Sequence, residues 1–279
     1  MRIFLIVLAS LLAFALIVFL ALFVASRPRK DRKYRKSFES LEGARYAHRG
    51  LFDPSIGIYE NTYKAFERAA ERGFGIELDV HITTDGRAVV MHDDSLKRTC
   101  GKDIRISDSS YSDIEDIKVG ESDPIPLFDK VLELIDKRVP LIIELKSDRT
   151  DISRLCSTVC KCLENYDGEY CVESFDPRVV LWFKKNRPEI IRGQLAANFT
   201  KDSKVANPIL RFLSRNLLIC IGSRPDFIAY DVKSVAPLAK IYFALWRPHR
   251  FVWTVKDENT LKAYEEKGIA SIFEGFIPE

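Results

Sequence analysis

Glu77 and Asp79 are separated by one aliphatic residue in the run Ile76-Glu77-Leu78-Asp79-Val80-His81. A period of two puts Glu77, Asp79 and His81 on one face of a strand and Ile76, Leu78 and Val80 on the other. If the aliphatic face packs against helices, the carboxylates point into an interior where an unpaired charge is very costly. A divalent cation bound through oxygen is the simplest compensation. The run Leu141-Ile142-Ile143-Glu144-Leu145-Lys146 repeats the pattern, with Glu144 and Lys146 sharing a face. His48, followed by Arg49 and Gly50, ends a third short run, and His92 closes Ala88-Val89-Val90-Met91. Read as a two-residue turn, Asp85-Gly86 pairs Thr84 with Arg87 and sets Asp79 directly opposite His92. The expected cluster is therefore His48, Arg49, Glu77, Asp79, His92, Glu144 and Lys146. Three carboxylates suit a hard cation, two imidazoles suit proton transfer, and Arg and Lys suit a phosphate.

Plainer readings exist for the individual members. Glu144 and Lys146 could form a structural ion pair, Asn61 could be a helix cap, and Glu60 its solvated neighbour. His81 shares the face of Glu77 and Asp79 but reads as peripheral, past the buried part of its strand. Convergence decides for a site, because three separate strands place chemically matched groups at one end.

Those strands need a scaffold. From Arg45 onward, short β-like runs alternate with helical ones. The strands are expected at Arg45–His48, Ile76–His81, Leu141–Leu145, Tyr170–Glu173, Gly193–Ala196, Phe227–Asp231, Phe251–Val255 and Ala270–Phe273, with Ala88–His92 as a hairpin partner of the second. Helices are expected at Thr62–Arg72, Leu127–Lys137, Ile152–Leu163, Pro177–Asn186 and Glu258–Lys267. Asp176 with Pro177 marks a helix start, and Gly73 and Gly268 follow helix ends. Eight alternating units define an α/β fold, a (β/α)₈ TIM barrel with a β-hairpin inserted after strand 2. No Gly-rich turn follows the first strand to support a doubly wound sheet instead. In such a barrel, chemistry belongs at the C-terminal ends of the strands.

The N-terminal region differs in kind. Residues 3–25 contain one polar side chain, Ser10, and as a helix they reach roughly 34 Å, enough to cross a hydrocarbon core of about 30 Å. A secretory signal peptide is the competing reading, with a shorter apolar region and a more basic start. Seven Lys and Arg lie in residues 27–36 against one, Arg2, before the span. The positive-inside rule then expects a single-pass cell-membrane protein with its body in the cytoplasm. Residues 26–40 read as a basic juxtamembrane linker facing anionic headgroups, and 41–279 as the barrel. Those seven and Arg2 account for eight of the 43 Lys and Arg, and Asp31 for one of the 40 acidic residues, so residues 37–279 carry −4. That balance argues against a nucleic-acid partner. Six cysteines without framework spacing fit a reducing compartment, and Cys156, Cys160 and Cys162 read as helix thiols, with no His nearby for a zinc site. Val205–Ile221 is rich in Leu, Ile and Phe with Arg211 and Arg215 between them. It reads as a long core helix, or else as an interfacial element beside the anchor.

The ordered runs Ala47-His48-Arg49-Gly50, Glu60-Asn61-Thr62, Gly75-Ile76-Glu77-Leu78-Asp79-Val80, Thr84-Asp85-Gly86, Val89-Val90-Met91-His92-Asp93, Leu96-Lys97-Arg98-Thr99, Ile143-Glu144-Leu145-Lys146, Glu173-Ser174-Phe175-Asp176-Pro177 and Trp253-Thr254-Val255 together resemble the glycerophosphodiester phosphodiesterase family. The resemblance implies a phospholipase C-like phosphodiesterase barrel acting on glycerophosphodiesters or lysophospholipids. It implies that Glu77, Asp79 and Glu144 hold Ca²⁺ or Mg²⁺ and that His48 and His92 are the acid/base pair. Arg49 and Lys146 would contact the phosphate, with Glu60, Asn61, Phe175 and Trp253 supporting the rim. Tyr59 departs from a frequent Pro, and Phe273-Glu274-Gly275 departs from a common Asp-containing segment. A glycosidase using paired carboxylates fits less well with Arg49, Lys146 and two histidines. A non-catalytic lipid- or phosphate-binding barrel at the membrane is the alternative from another class.

Overall fold

A computed structural model describes residues 2–29, 35–199 and 207–279. Within the basic collar, residues 30–34 lie outside the described residues, as do Val205 and Ala206 of the apolar stretch. The first helix, α1 (Arg2–Ala25), is long and apolar enough to cross a membrane, and it is exposed along nearly its whole length. A short helix, α2 (Arg35–Glu42), leads into β1 (Tyr46–His48).

Eight parallel strands then close on themselves. In spatial order they are β1, β2 (Gly75–Ile82), β4 (Leu141–Leu145), β5 (Tyr170–Ser174), β6 (Arg192–Ala196), β7 (Phe227–Asp231), β8 (His249–Val255) and β9 (Ala270–Phe273), and β9 returns to β1. The ninth strand, β3 (Ala88–Val90), pairs antiparallel with β2. The architecture is the (β/α)₈ barrel with one hairpin that the alternation predicts.

The period of two sorts the strand residues as expected. Ile76, Leu78 and Val80 face outward into one core with Phe66 and Ala69 of α3 (Tyr63–Glu71) and Phe128 and Val131 of α5 (Phe128–Ile135). Inside the barrel, Tyr46, Ile142, Cys171, Phe227 and Phe251 form an apolar floor, completed by Phe38 and Leu41 of α2. Their inward neighbours two residues further along the strands are His48, Glu144, Glu173, Ala229 and Trp253. The lumen thus runs from apolar at its floor to mostly polar at its C-terminal rim, and the charges sit where the layered packing ends.

The remaining helices cover the outside. α4 (Lys97–Cys100) follows the hairpin, and α6 (Ile152–Leu163), α7 (Pro177–Asn186) and α10 (Glu258–Glu265) are capped by Asp151, Asp176 and Asp257. Cys156 and Cys160 are buried on α6, and all six cysteines are free thiols. Gly73 and Gly268 take the left-handed conformation after their helices. A further helix, α9 (Pro237–Trp246), has Pro at its first position and no side-chain cap, and its weak periodicity gave no signal in the sequence.

The apolar stretch corrects the expectation of one long core helix. It forms α8 (Pro208–Arg215), breaks where Leu217 turns to φ 63°, and ends in a short 3-10 turn at Leu218–Cys220. Leu217, Leu218 and Cys220 are buried, whereas Ile209, Leu210 and Phe212 are exposed.

Candidate active site

The rim is built first by backbone. After β1 the chain turns through Arg49 and Gly50, both at positive φ. A Cβ on Gly50 would lie 2.9 Å from the Ala65 backbone, so only glycine lets this turn rest on α3. The Arg49 amide donates to Glu77 Oε2 at 3.0 Å, and the Arg49 carbonyl accepts from the Asn61 amide at 2.9 Å. Asn61 is not the helix cap; Thr62 is, accepting from the Ala65 amide. Asn61 instead donates from Nδ2 to Asp79 Oδ2 at 2.8 Å, held in a left-handed conformation that asparagine tolerates.

Glu77, Asp79 and Glu144 stand together on adjacent strands, with Asp79 paired in register with Glu144. One oxygen from each lies within 4.8 Å of the others, and all three side chains are buried. Oxygen ligands at about 2.0–2.6 Å from a hard cation sit up to about 5 Å apart across it, so this set fits Ca²⁺ or Mg²⁺. Lys146 Nζ lies 2.8 Å from both Asp79 Oδ1 and Glu144 Oε2, and Arg49 Nε lies 3.4 Å from Asp79 Oδ2. Burial pushes Asp79 upward, but Lys146, His92 and Arg49 outweigh it and hold this carboxylate well below its ordinary range. Burial, with Asp79 and Glu144 beside it, drives Glu77 well above its range. Burial also raises Glu144, to about 7, although Lys146 opposes the shift. Fully ionised, the three carboxylates exceed the charge of Lys146 and Arg49, and the upward shifts of Glu77 and Glu144 reflect that excess, the condition a divalent ion relieves.

Both histidines are held through Nδ1 by carboxylates. His48 Nδ1 is 2.5 Å from Glu274 Oε2, and its Nε2 is 3.9 Å from Glu77 Oε2. His92 Nδ1 is 2.7 Å from Asp93 Oδ1. With Nδ1 occupied in each, Nε2 is the atom left for the cleft. Burial lowers His48, partly offset by Glu274, and burial lowers His92 to about 4, with Asp79 opposing. The second rank continues outward. Lys256 binds Glu274 at 3.2 Å, while Arg98 joins Asp93 to Glu60, and Glu60 binds Arg49 at 2.9 Å.

The hairpin register differs from the one expected. Val80 pairs with Val90, so Asp79 faces Met91 and not His92. The turn has three residues: Thr83 pairs with Arg87, and Gly86 supplies φ 82°. His92 reaches the carboxylates only because the chain bends out of β3 after Val90. His81 is buried within β2, not past its buried part, and its Nε2 lies 3.3 Å from the His92 carbonyl oxygen.

His48, Arg49, Glu60, Glu77, His92 and Glu144 line a cleft of about 680 Å³ together with Phe175 and Trp253, whose rings meet edge to face at 5.6 Å. The structure thus brings together every residue expected at the rim, Glu60, Asn61, Phe175 and Trp253 included. It adds three without an expected role: Asp93 and Glu173 from the motif runs, and Glu274 from the segment that departs from the family pattern. Glu173 pairs in register with Glu144, and its carboxyl is buried and raised well above its range by burial and then by Glu144. The signal for Glu173 was available: Glu173 and Cys171 alternate with outward-facing Val172 just as Glu77 and Asp79 alternate with Leu78.

Fold and rim together define a (β/α)₈ barrel whose C-terminal end gathers a cation-competent carboxylate triad, two carboxylate-held imidazoles and two phosphate-type cations. Residues 48–215 match the model of the glycerophosphoryl diester phosphodiesterase family, and the chain belongs to that family. A glycerophosphodiester phosphodiesterase of Caldanaerobacter subterraneus is 36% identical over 160 residues, 53% of this chain and 65% of that protein. Lysophospholipase D GDPD1 of Homo sapiens is 32% identical over 221 residues, 73% of this chain and 63% of that one. The chain spans just under two thirds of the length of these relatives. Among solved structures, an Oleispira antarctica phosphodiesterase in complex with its product sn-glycerol 3-phosphate superposes with TM-score 0.66 at 21% identity, covering 83% of this chain and 92% of that one.

Proposed function

We propose that the chain is a membrane-anchored, metal-dependent glycerophosphodiester phosphodiesterase, releasing an alcohol and glycerol 3-phosphate. The observation that carries this reading is the convergence of Glu77, Asp79 and Glu144, their oxygens within 4.8 Å, with two histidines on the rim of a family barrel. The three carboxylates are the ligands of a Ca²⁺ or Mg²⁺ ion, which would supply charge stabilisation at the phosphoryl oxygens. Arg49 and Lys146 bind the phosphate, and Glu60 and Asn61 keep Arg49 and Asp79 in place. Phe175 and Trp253 wall the cleft beside the leaving alcohol.

Family chemistry uses the substrate's own glycerol hydroxyl as nucleophile. His92, neutral at physiological pH, accepts the hydroxyl proton at Nε2 as the new O–P bond forms. His48, its imidazolium held by Glu274, gives a proton to the departing alkoxide. The two exchange roles when water opens the cyclic phosphate. Arg29, just past α1, bonds the carbonyls of Pro188 and Pro225, just before β6 and β7 and therefore opposite the cleft. That placement favours water-soluble glycerophosphodiesters first; lysophospholipids, with lysophosphatidic acid as product, are the second class, favoured by the similarity to human lysophospholipase D GDPD1. Residues 3–25 span the cell membrane, the basic residues from 26 to 40 keep the body cytoplasmic, and the barrel runs to 279. Within that scheme α2 packs as part of the barrel floor.

The test is the purified full chain assayed on glycerophosphocholine, glycerophosphoethanolamine and lysophosphatidylcholine with Ca²⁺, Mg²⁺ or chelator. Chelator-sensitive release of glycerol 3-phosphate, lost in His92→Ala, is the expected result. No turnover of any of them, with His92→Ala indistinguishable from the parent, would establish a binding module instead. A C-terminal reporter read outside the cytoplasm would reverse the orientation.

A further inference from the structure

One flank of the barrel differs from the rest in both charge and exposure. Residues 207–225 and 235–250 contain six Lys and Arg and no Asp or Glu, in a body whose net charge is −4. Asp226 and Asp231 lie between them, and Asp226 is engaged by Arg192 at 3.3 Å and by Arg29 at 3.6 Å. Outside α1, eight large apolar side chains are exposed among the described residues. Six of them fall on this flank: Ile209, Leu210 and Phe212 on α8, Ile221 after it, and Ile241 and Leu245 on α9.

The same flank is where α1 joins the body. Phe19 and Phe23 enter a core shared with Leu213 of α8 and with Tyr242, Phe243 and Trp246 of α9. The Phe23 ring lies 6.0 Å from that of Tyr242 and 6.1 Å from that of Trp246, and the Tyr242 hydroxyl donates to the Ser26 carbonyl at 2.8 Å. Arg27 and Arg224 line a shallow groove at the foot of the helix, walled by Leu20, Ala21, Val24 and Ala25. The anchor is therefore packed against this face of the barrel, so a bilayer that contains α1 begins beside α8 and α9.

We infer that the α8–α9 flank is a second membrane contact, seated in the interfacial layer of an anionic bilayer. Ile209, Leu210, Ile241 and Leu245 enter the acyl boundary, while Arg215, Lys240 and Arg247 meet lipid phosphates. The inference rests on α1 spanning the membrane. Continuity with α1 and the lack of Asp or Glu in residues 207–225 and 235–250 select a lipid surface over a second copy, whose matching flank would be equally basic. Seated this way, the barrel holds one orientation at the membrane and does not swing on its linker.

The test is the full chain in vesicles of phosphatidylcholine with or without phosphatidylglycerol, photolabelled by a phospholipid carrying a diazirine in its acyl chain and mapped by mass spectrometry. Label is expected on α1 and also on peptides from 207–216 and 237–247. The exposed pair Ile241→Glu and Leu245→Glu should remove the second set while leaving α1 labelling and glycerophosphocholine hydrolysis unchanged. Lys240→Gln and Arg247→Gln should each weaken the preference for phosphatidylglycerol about fivefold. Label confined to α1, or crosslinks joining these peptides to a second copy, would overturn the seat and leave the anchor standing. An unlabelled α1 would overturn both.

Discussion

Glu274 Oε2 lies 2.5 Å from His48 Nδ1, a contact between residues 226 apart that ties the end of the last strand to the end of the first. The hydrogen bond to His48 pulls Glu274 down to about 2, against burial, with Lys256 assisting. The carboxylate fixes the ring and leaves Nε2 facing the cleft. Glu274→Gln should therefore lower kcat about 10- to 100-fold, part of what an oriented acid/base contributes, with KM little changed. Glu274→Asp should recover part of the rate, and steady-state kinetics on glycerophosphocholine with a pH profile decides. A rate loss without any shift in the pH profile would reduce Glu274 to a structural role.

Cation affinity should rise with pH. In the metal-free chain Glu144 titrates at about 7 and Glu77 lies well above its usual range, so binding below neutrality must displace protons. Affinity should climb up to about tenfold per pH unit for each proton displaced and flatten once both groups are ionised. Without a cation the sign for stability is the reverse. The unfolded chain gives up these protons first, so stability falls as pH rises from the ordinary carboxyl range through about 7. Calorimetric titration of Ca²⁺ at pH 6 and pH 8 checks this, and equal affinities would contradict it.

Lys146→Met should be among the most destabilising single substitutions. Its ammonium is the shared partner of two buried carboxylates at 2.8 Å, and removing one member of a buried ionic set costs about 3–5 kcal/mol. Chemical denaturation at neutral pH without metal measures the loss. Added Ca²⁺ should restore much of the stability but not the activity, since the phosphate contact stays absent.

Gly50→Ala should weaken the rim more than its exposure suggests. With φ 80° and a Cβ position 2.9 Å from the Ala65 backbone, it should lose about 1–3 kcal/mol from backbone strain alone. Cation affinity should fall with it, because Arg49 and its amide contact to Glu77 move with the turn. Unchanged denaturation and Ca²⁺ binding would show that the turn relaxes freely.

Much of this molecule is legible in local pattern. Alternation in 76–81 and 141–146 sorts core from lumen whatever the surroundings, because neighbouring Cβ atoms must point to opposite faces. Asp176 with Pro177 announces a helix by its own hydrogen bond. The hairpin register was harder, since one extra residue in the turn at 84–86 shifts every pair and the sequence Thr-Asp-Gly allows both lengths. The Asn61 side chain suits a helix cap equally well; only the position of Asp79 on the neighbouring strand selects the other bond. Glu274 carried no local signal at all.

The sequence by itself determined the eight strands, the apolar N-terminal helix with the basic residues after it, and the clustering of three carboxylates, because each follows from side-chain types at fixed local spacing. Closure of the barrel decided the rest. It brought Glu274 to His48 and Glu173 beside Glu144, bent His92 toward Asp79, and set α1 against α8 and α9. Those contacts join residues far apart in the chain, and their geometry is set by how strands stagger and pack in three dimensions, which no spacing along the chain encodes.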